Sequence, residues 1–294
     1  MSFKPMRSCE PTDKYPVQFP CYVSRKLDGI RVVKYEGKAR TKSLKLLPNR
    51  HASAFVEAHV PDRMDCEIIV GPPNLQTTYN TTLSGVMTIA GEPEFTLYAF
   101  DIADSEAGYT HERIERLRQA CLGIPNIVIV DQILCHNAEQ LEQLYEQFLE
   151  EGYEGLIARS PNGIYKYGKC TPKEAIQFKV KPHADEDCEI LEVHEGRTNQ
   201  NEAFVNELGG TARSTDAEGM VPNGMLGYFI ARDVKTSTVF RLSPGKLKHA
   251  ERVAILQNPQ EYIGRFAKYR SMDYGVKDKP RQNRWYAWRH EADV

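Results

Sequence analysis

The chain has 294 residues, 41% apolar and 27% charged, with a net charge of −2. That is an ordinary globular composition, long enough for two domains with their own cores, and it argues against a general nucleic-acid coat while leaving room for a locally basic face. No apolar run approaches a membrane span, Met1-Ser2-Phe3-Lys4-Pro5 lacks a signal-peptide core, and seven single cysteines without C-x-x-C pairs suggest neither zinc nor disulfides.

From Cys21 to Thr41 the pattern is strand, tight turn, strand: Tyr22-Val23 and Ile30 to Tyr35 are β-rich, and Asp28-Gly29 and Glu36-Gly37 are turns. Lys26 is thereby expected at the end of a strand, held by a sheet. Asp65 to Val70, Phe95 to Ile102 and Ile127 to Val130 are further strands. Ile114, Leu117, Cys121 and Leu122 form a helical apolar stripe after Thr110, a candidate N-cap. Leu141, Leu144, Tyr145, Phe148 and Leu149 form a second, opened by Asn137 and Gln140 and stopped by Gly152. Both stripes read as core-facing.

Around Lys181-Pro182-His183-Ala184-Asp185 the texture turns polar, placing a boundary between domains 1–183 and 184–294. Beyond it come short strands (Cys188 to His194, Met225 to Asp233, Val239 to Leu242, and strand-like Tyr262 to Tyr269) and one helix, Lys246 to Gln257. That count fits a small β barrel with one helix, of which the OB-fold is the commonest to meet nucleic acid. An insertion at about 199–222 is expected as a long polar loop. Arg265, Lys268, Arg270, Lys277, Lys279, Arg281, Arg284 and Arg289 crowd the C-terminal part, with Tyr269, Tyr274, Trp285, Tyr286 and Trp288 between them. Such a stretch is either a solvated face or a phosphate-tracking surface whose binding weakens with salt.

Within this frame lie short motifs in a fixed order. Lys26-Leu27-Asp28-Gly29-Ile30-Arg31 reads K-x-D-G-x-R; Arg40 to Asn49, Asp65 to Ile69, Phe95 to Asp101, Glu154 to Arg159 and Gln177 to Lys181 follow. A lysine amine is a nucleophile only when unprotonated, against a reference pKa of about 10.4, so it needs burial or neighbouring cations. Lys179 and Lys181, two apart on a strand, point the same way and can grip one phosphate chain.

In order and spacing the series resembles the covalent nucleotidyltransferase superfamily, and within it the small ATP-dependent DNA ligases of viruses and bacteria. The resemblance implies an α+β fold: a nucleotidyltransferase (ATP-grasp-like) domain of antiparallel sheets with helices, then an OB-fold barrel whose 199–222 insertion acts as a latch. It implies that Lys26 carries AMP, with Asp28 and Arg31 addressing the nick. Ser24, Lys26, Arg31, Lys42, Glu67, Phe100, Glu154, Lys179 and Lys181 are implied to bind ATP, with Glu67 and Glu154 holding Mg2+, for which Mn2+ can stand in. Arg40, Lys42, Arg213, Ser214, Arg281 and Arg284 are implied to touch DNA. The chain departs from its relatives at Lys42, where they carry arginine, and at Cys66, where they carry glycine; Arg40 is a candidate to compensate for the first. The expected partner is nicked duplex DNA, with the protein a cytoplasmic monomer (host cytoplasm if viral) that closes around it, away from membranes. A GTP-dependent mRNA-capping guanylyltransferase or an RNA ligase shares the lysine motif and is the alternative.

Overall fold

Alternating hydrophobicity up to about residue 180 folds into two sheets that share no strand. The computed structural model describes residues 3–182, 184–207, 209–272 and 281–290. It divides into two units, one built on Met1–Lys181 and the other on Pro182–Asn206 with Gly210–Val294.

In the first unit, β1 (Cys21–Arg25), β2 (Ile30–Tyr35) and β3 (Lys38–Thr41) are followed by α1 (Arg50–His59), β4 (Met64–Val70), α2 (Thr78–Val86) and β5 (Phe95–Ile102). Then come α3 (Thr110–Ala120), β6 (Ile127–Ile129), β7 (Ile133–Cys135), α4 (Ala138–Glu150), β8 (Leu156–Arg159) and β9 (Gln177–Val180). One sheet has the order β7-β1-β8-β9 and is antiparallel throughout. The other has the order β3-β2-β4-β5-β6, antiparallel except for the parallel β5–β6 pair. The expectation of purely antiparallel sheets therefore needs one amendment, made because α3 carries the chain across between β5 and β6.

A second correction concerns Lys26 to Gly29. β1 and β2 are not partners; the link between them passes from one sheet to the other. Gly29 is required there because an added Cβ would strike the Ile68 carbonyl and the Glu67 and Ile69 side chains of β4. Val23, Leu156, Ala158 and Phe178 of the first sheet pack with Phe148 of α4. Val32, Cys66, Ile68, Leu97 and Ala99 of the second pack under Val56 of α1, Val86 of α2 and Leu117 of α3. With period 2, these inward residues commit their neighbours Ser24, Arg31, Glu67 and Tyr98 to the opposite faces.

The two striped helices form as expected, with local differences. Asn137 caps α4 by accepting from the Gln140 N–H at 2.9 Å, and the Gln140 side chain reaches back to His136. α3 is capped at Tyr109, one residue before Thr110, with Glu112 accepting from the Tyr109 N–H at 2.7 Å. Leu122 lies past the end of α3 and is 86% exposed, so it is not part of the stripe. Asn49 caps α1 and its amide donates to the carbonyls of Thr88, Ala90 and Gly91, a bracing role. All seven cysteines are buried free thiols.

The second unit contains β10 (Ala184–Asn199), β11 (Ala203–Val205), β12 (Thr211–Arg213), β13 (Met220–Asp233), β14 (Val239–Leu242), α5 (His249–Gln257), β15 (Phe266–Met272) and β16 (Arg281–Trp288). Its main sheet is all antiparallel, in the order β14-β13-β10-β15-β16, consistent with an OB fold. Its core gathers Cys188, Ile190, Phe229, Phe240, Leu242, Ile255, Tyr269 and Trp285. β10 and β13 extend well past their expected ends, and β11 pairs with β12. The insertion is thus a two-stranded ribbon on long strand stems, not a polar loop. Tyr262 to Arg265 precedes β15 outside any strand; a short helical turn at Pro259–Glu261 brings the chain into it.

Candidate active site

Lys26 is fixed by backbone before its side chain is considered. Its N–H donates to the Gly155 carbonyl at 2.9 Å, and the Glu154 N–H donates back to the Lys26 carbonyl at 3.3 Å. Gly155 lies at φ +135°, and an added Cβ would strike the Val180 carbonyl, so only glycine lets β8, β9 and the Lys26 backbone approach this closely. The Lys26 ammonium donates to Glu154 Oε2, and the Lys181 ammonium lies 3.8 Å from Glu154 Oε1. Glu154 is buried, so one carboxylate is shared by two lysines. Burial lowers the Lys181 pKa against the opposing pull of Glu154, and Lys179 and Lys26 push it further down.

From the other sheet, Arg31, Glu67 and Tyr98 stand in register across β2, β4 and β5. Arg31 donates from Nε to Asp65 Oδ1 at 2.7 Å, from Nη2 to Asp65 Oδ2 and from Nη1 to the Met6 carbonyl. The Tyr165 hydroxyl donates to the same Asp65 at 2.6 Å and accepts from the Met6 N–H at 2.9 Å. Burial pulls the Arg31 guanidinium down, but Asp65 and Tyr165 more than offset it, and its pKa ends above the ordinary arginine value. Burial raises the Glu67 carboxyl to about 7, against the opposing fields of Lys26 and Arg31 and with the help of Asp28 and Asp65. The ladder shifts register between Asp65 and Cys66, which face Asp101 and Ala99, so Phe100 is the extra residue of a bulge. Its ring has the Arg31 and Arg159 guanidinium carbons 5.5 Å and 5.4 Å from its centroid. The Arg159 Nη1 also donates to the Phe100 carbonyl at 2.7 Å.

Lys42 lies in the turn after β3 with its side chain exposed. Partial burial of its ammonium, with Arg31, Arg7 and Lys179 nearby, lowers its pKa, while Glu67 works the other way. Lys179 pairs with Glu10 at 3.3 Å. Ser24 is buried on β1, two residues before Lys26. Lys26, Arg31, Lys42, Glu67, Phe100, Glu154, Lys179 and Lys181 therefore converge, with Asp28 among the charges acting on Glu67. Arg40 is turned to its own hairpin: it donates to the carbonyls of Tyr35 and Leu44 and lies 3.7 Å from Glu36.

Sequence reasoning did not assign Asp65, Tyr165, Met6, Arg159 or Arg7 a part here. Asp65 and Arg159 sat inside motifs already quoted. A lone arginine near the start of the chain carries no sequence signal.

In the second unit, Arg213 donates to the Asn201 carbonyl within the ribbon, and the Ser214 hydroxyl donates to Asp216 at 2.6 Å. Phe204 and Val205 of β11 are exposed. Of the interleaved aromatics, Tyr269 and Trp285 belong to the core. Tyr286 faces out with Lys246 3.7 Å and Arg270 4.4 Å from its ring centroid, and Lys268 at 5.8 Å. Arg284 is exposed on β16. The Arg281 side chain, and Tyr274, Lys277 and Lys279, lie outside the described residues.

Two carboxylates, Glu67 of raised pKa on β4 and buried Glu154 just before β8, suit an oxygen-preferring cation that completes its shell with phosphate and water. Among the described residues no group of three or more acid, histidine or cysteine side chains forms an all-protein metal cage. Magnesium held jointly with a phosphate chain fits this donor set.

A lysine amine surrounded by further cations and two carboxylates suits this site to binding a phosphate chain beside an oxygen-liganded cation. The family model of the ATP-dependent DNA ligase domain matches residues 16–181. The chain belongs to the ATP-dependent DNA ligase family. It is 35% identical over 80 residues to the DNA ligase of enterobacteria phage T3, a stretch that makes up 27% of this chain and 21% of the phage protein. Among solved structures it is similar to Chlorella virus DNA ligase-adenylate, with 26% identity, a TM-score of 0.55, and 98% of this chain and 99% of that chain covered. It is also similar in fold to a Lig E DNA ligase, with 20% identity, a TM-score of 0.73, and 98% of this chain and 100% of that chain covered. No helix among the described residues is long and apolar enough to cross a membrane.

Proposed function

We propose that this ligase seals 5′-phosphate/3′-hydroxyl nicks in duplex DNA at the expense of ATP. Lys26 attacks the α-phosphorus of ATP, the Nζ–P bond forms as the bond to pyrophosphate breaks, and AMP stays on the lysine as a phosphoramidate. The 5′-phosphate of a nick takes the AMP from Lys26, and the 3′-hydroxyl then displaces it. The observation that carries the reading is the Lys26 ammonium on the carboxylate that Lys181 also approaches, with Lys42, Lys179 and Arg31 close by. Glu154 holds the Lys26 ammonium in place.

Lys179, Lys181 and Lys42 face the negative charge that develops on the phosphoryl oxygens. Arg31, clamped by Asp65, presents a fixed cation, and Phe100, tilted out at the bulge, offers its ring to the adenine. Ser24 lines the nucleotide side beneath Lys26, and Asp28 addresses the 3′-hydroxyl. Glu67 and Glu154 would hold Mg2+ (or Mn2+), which when bound neutralises phosphate charge.

In this reading residues 1–183 are the adenylylation domain and 184–294 an OB-type barrel. A bridge between Ser243 and Arg284, with the Trp285 N–H donating to the Ser243 carbonyl at 2.9 Å, supports closure of the sheet at its edges. The 199–222 ribbon is the latch; Arg213, Ser214, Arg281 and Arg284, with Arg40 and Lys42, meet the DNA. The protein acts as a cytoplasmic monomer closing on its nick, a compartment in keeping with seven free thiols.

Incubation with α-labelled ATP and then with nicked DNA tests this. Label should attach to Lys26, move to the 5′ end and leave as AMP when the nick closes. No label from ATP, transfer from GTP instead, or sealing of nicked RNA alone would reject the reading.

A further inference from the structure

Of the cations gathered at the site, most have a partner. Lys26 and Lys181 share Glu154, Arg31 holds Asp65 and Lys179 pairs with Glu10. Lys42 and Arg7 differ. Among the described residues no hydrogen bond or ion pair is made by either side chain, and both residues are exposed.

Backbone contacts place Arg7. Its N–H donates to the Gly168 carbonyl at 2.7 Å, its carbonyl accepts from the Cys170 N–H at 2.8 Å, and it forms a parallel bridge with Lys169. The residue before it gives its carbonyl to the Arg31 guanidinium. Two residues later the Cys9 carbonyl accepts from the Lys179 N–H at 2.8 Å, and Glu10 pairs with the Lys179 side chain. The segment is therefore bonded at both ends to residues of the site, and Arg7 sits between the two attachments. Arg7 also bears on the Lys42 ammonium, together with Arg31 and Lys179.

Two like charges brought together cost free energy in the free protein, a cost that Glu67 offsets only in part at Lys42, since the Lys42 pKa is still lowered, and that a bound anion removes. A carboxylate could have served inside the chain, yet the nearby Glu10 is engaged with Lys179. We propose that Arg7 is a substrate-binding residue, forming with Lys42 a two-cation seat for a phosphate group of the ligation substrates. Arginine adds a planar fork that lysine lacks, so Arg7 fixes the orientation of the phosphate while Lys42 supplies a point charge. The exposure of both side chains suits a phosphate on the nick strand; the triphosphate of ATP is the other source. The proposal rests on the ligase reading above.

The test compares Arg7→Ala and Arg7→Lys with the unaltered chain, using a nick that lacks the 3′-hydroxyl for binding and α-labelled ATP for Lys26 labelling. Lys14→Ala is the control, since Lys14 is an exposed cation a few residues further along the chain. With a strand phosphate in the seat, Arg7→Ala weakens nick binding about tenfold and lowers the salt slope by about one, with the KM for ATP unchanged. With the triphosphate in the seat, that KM rises about tenfold and nick affinity holds. Arg7→Lys should recover part of either loss. Unchanged values in both assays, or an equal loss in Lys14→Ala, overturn the proposal. Because Arg7 is exposed, a matching melting temperature checks that the variant folds. Absence of Lys26 labelling in the unaltered chain would instead sink the ligase reading, whatever Arg7 does.

Discussion

In the first unit Arg31 keeps its guanidinium on Asp65 and the Met6 carbonyl, whereas in the second Arg241 and Arg270 lie over the rings of Tyr228 and Tyr286, 3.7 Å and 4.4 Å from their centroids. The first arrangement fixes direction: each nitrogen has an acceptor, and Tyr165 holds the acceptor in turn. The second lays each guanidinium plane on an aromatic ring. His194, stacked on Tyr228 at 4.6 Å, extends that plane. A reaction at one phosphorus atom needs the first kind of order, and a surface that follows a nucleic-acid backbone can work with the second. In the proposed reading, catalytic charge is set by partners and docking charge by platforms.

The sharpest way to break this contrast is Lys26→Ala. Sealing and Lys26 labelling should fall by at least about 10³-fold while nick binding persists. Residual labelling above background would remove Lys26 as the nucleophile. Next is Asp65→Ala, which strands the Arg31 guanidinium. A loss of about 3–5 kcal/mol is expected from denaturant unfolding; a loss under about 1 kcal/mol would mean that Arg31 is not held by its partner.

Glu67→Gln probes the same site through pH. The folded chain keeps the Glu67 proton up to about 7, whereas an unfolded glutamate releases it near 4.5. Stability tied to the protonated form is fully present below 4.5 and is lost as pH rises to about 7, about 3 kcal/mol in all. In metal-free buffer at pH 8 the variant should therefore melt higher than the parent, with the two converging toward pH 4.5. Parallel melting curves across that range would show that Glu67 is not protonated at neutral pH.

In the second unit, Tyr286→Ala should weaken nick binding by about 1–2 kcal/mol without touching Lys26 labelling. An equal effect on labelling would dissolve the division between the two regions. The smallest effect is expected at Leu122→Ser. That residue is exposed, so the melting midpoint should move by less than about 0.5 kcal/mol in stability.

Much of this was legible because motifs and periods are local. Strand alternation gave β4 and β5 nearly residue for residue. What stayed hidden depends on pairing. Nothing in Tyr22 to Tyr35 says that the turn at Asp28-Gly29 changes sheets, since hairpins and crossovers use the same residues. The length of β10 and β13 was hidden by polar residues that a two-stranded ribbon leaves in water. Leu122 fits the helical stripe of α3, but the helix stops short of it. Asp65 and Tyr165 reach Arg31 from sequence separations of 34 and 134, and Arg7 is held beside Gly168 and Cys170, contacts visible only once the chain has folded.

The thiols offer a built-in clock. Six of the seven cysteines belong to the first unit and Cys188 alone to the second, all shielded from water. An alkylating reagent can reach them only through opening, and mass spectrometry separates one adduct at Cys188 from six elsewhere. Without an introduced probe, the order in which each unit unfolds under heat or denaturant can be read from the label pattern, with and without nucleotide.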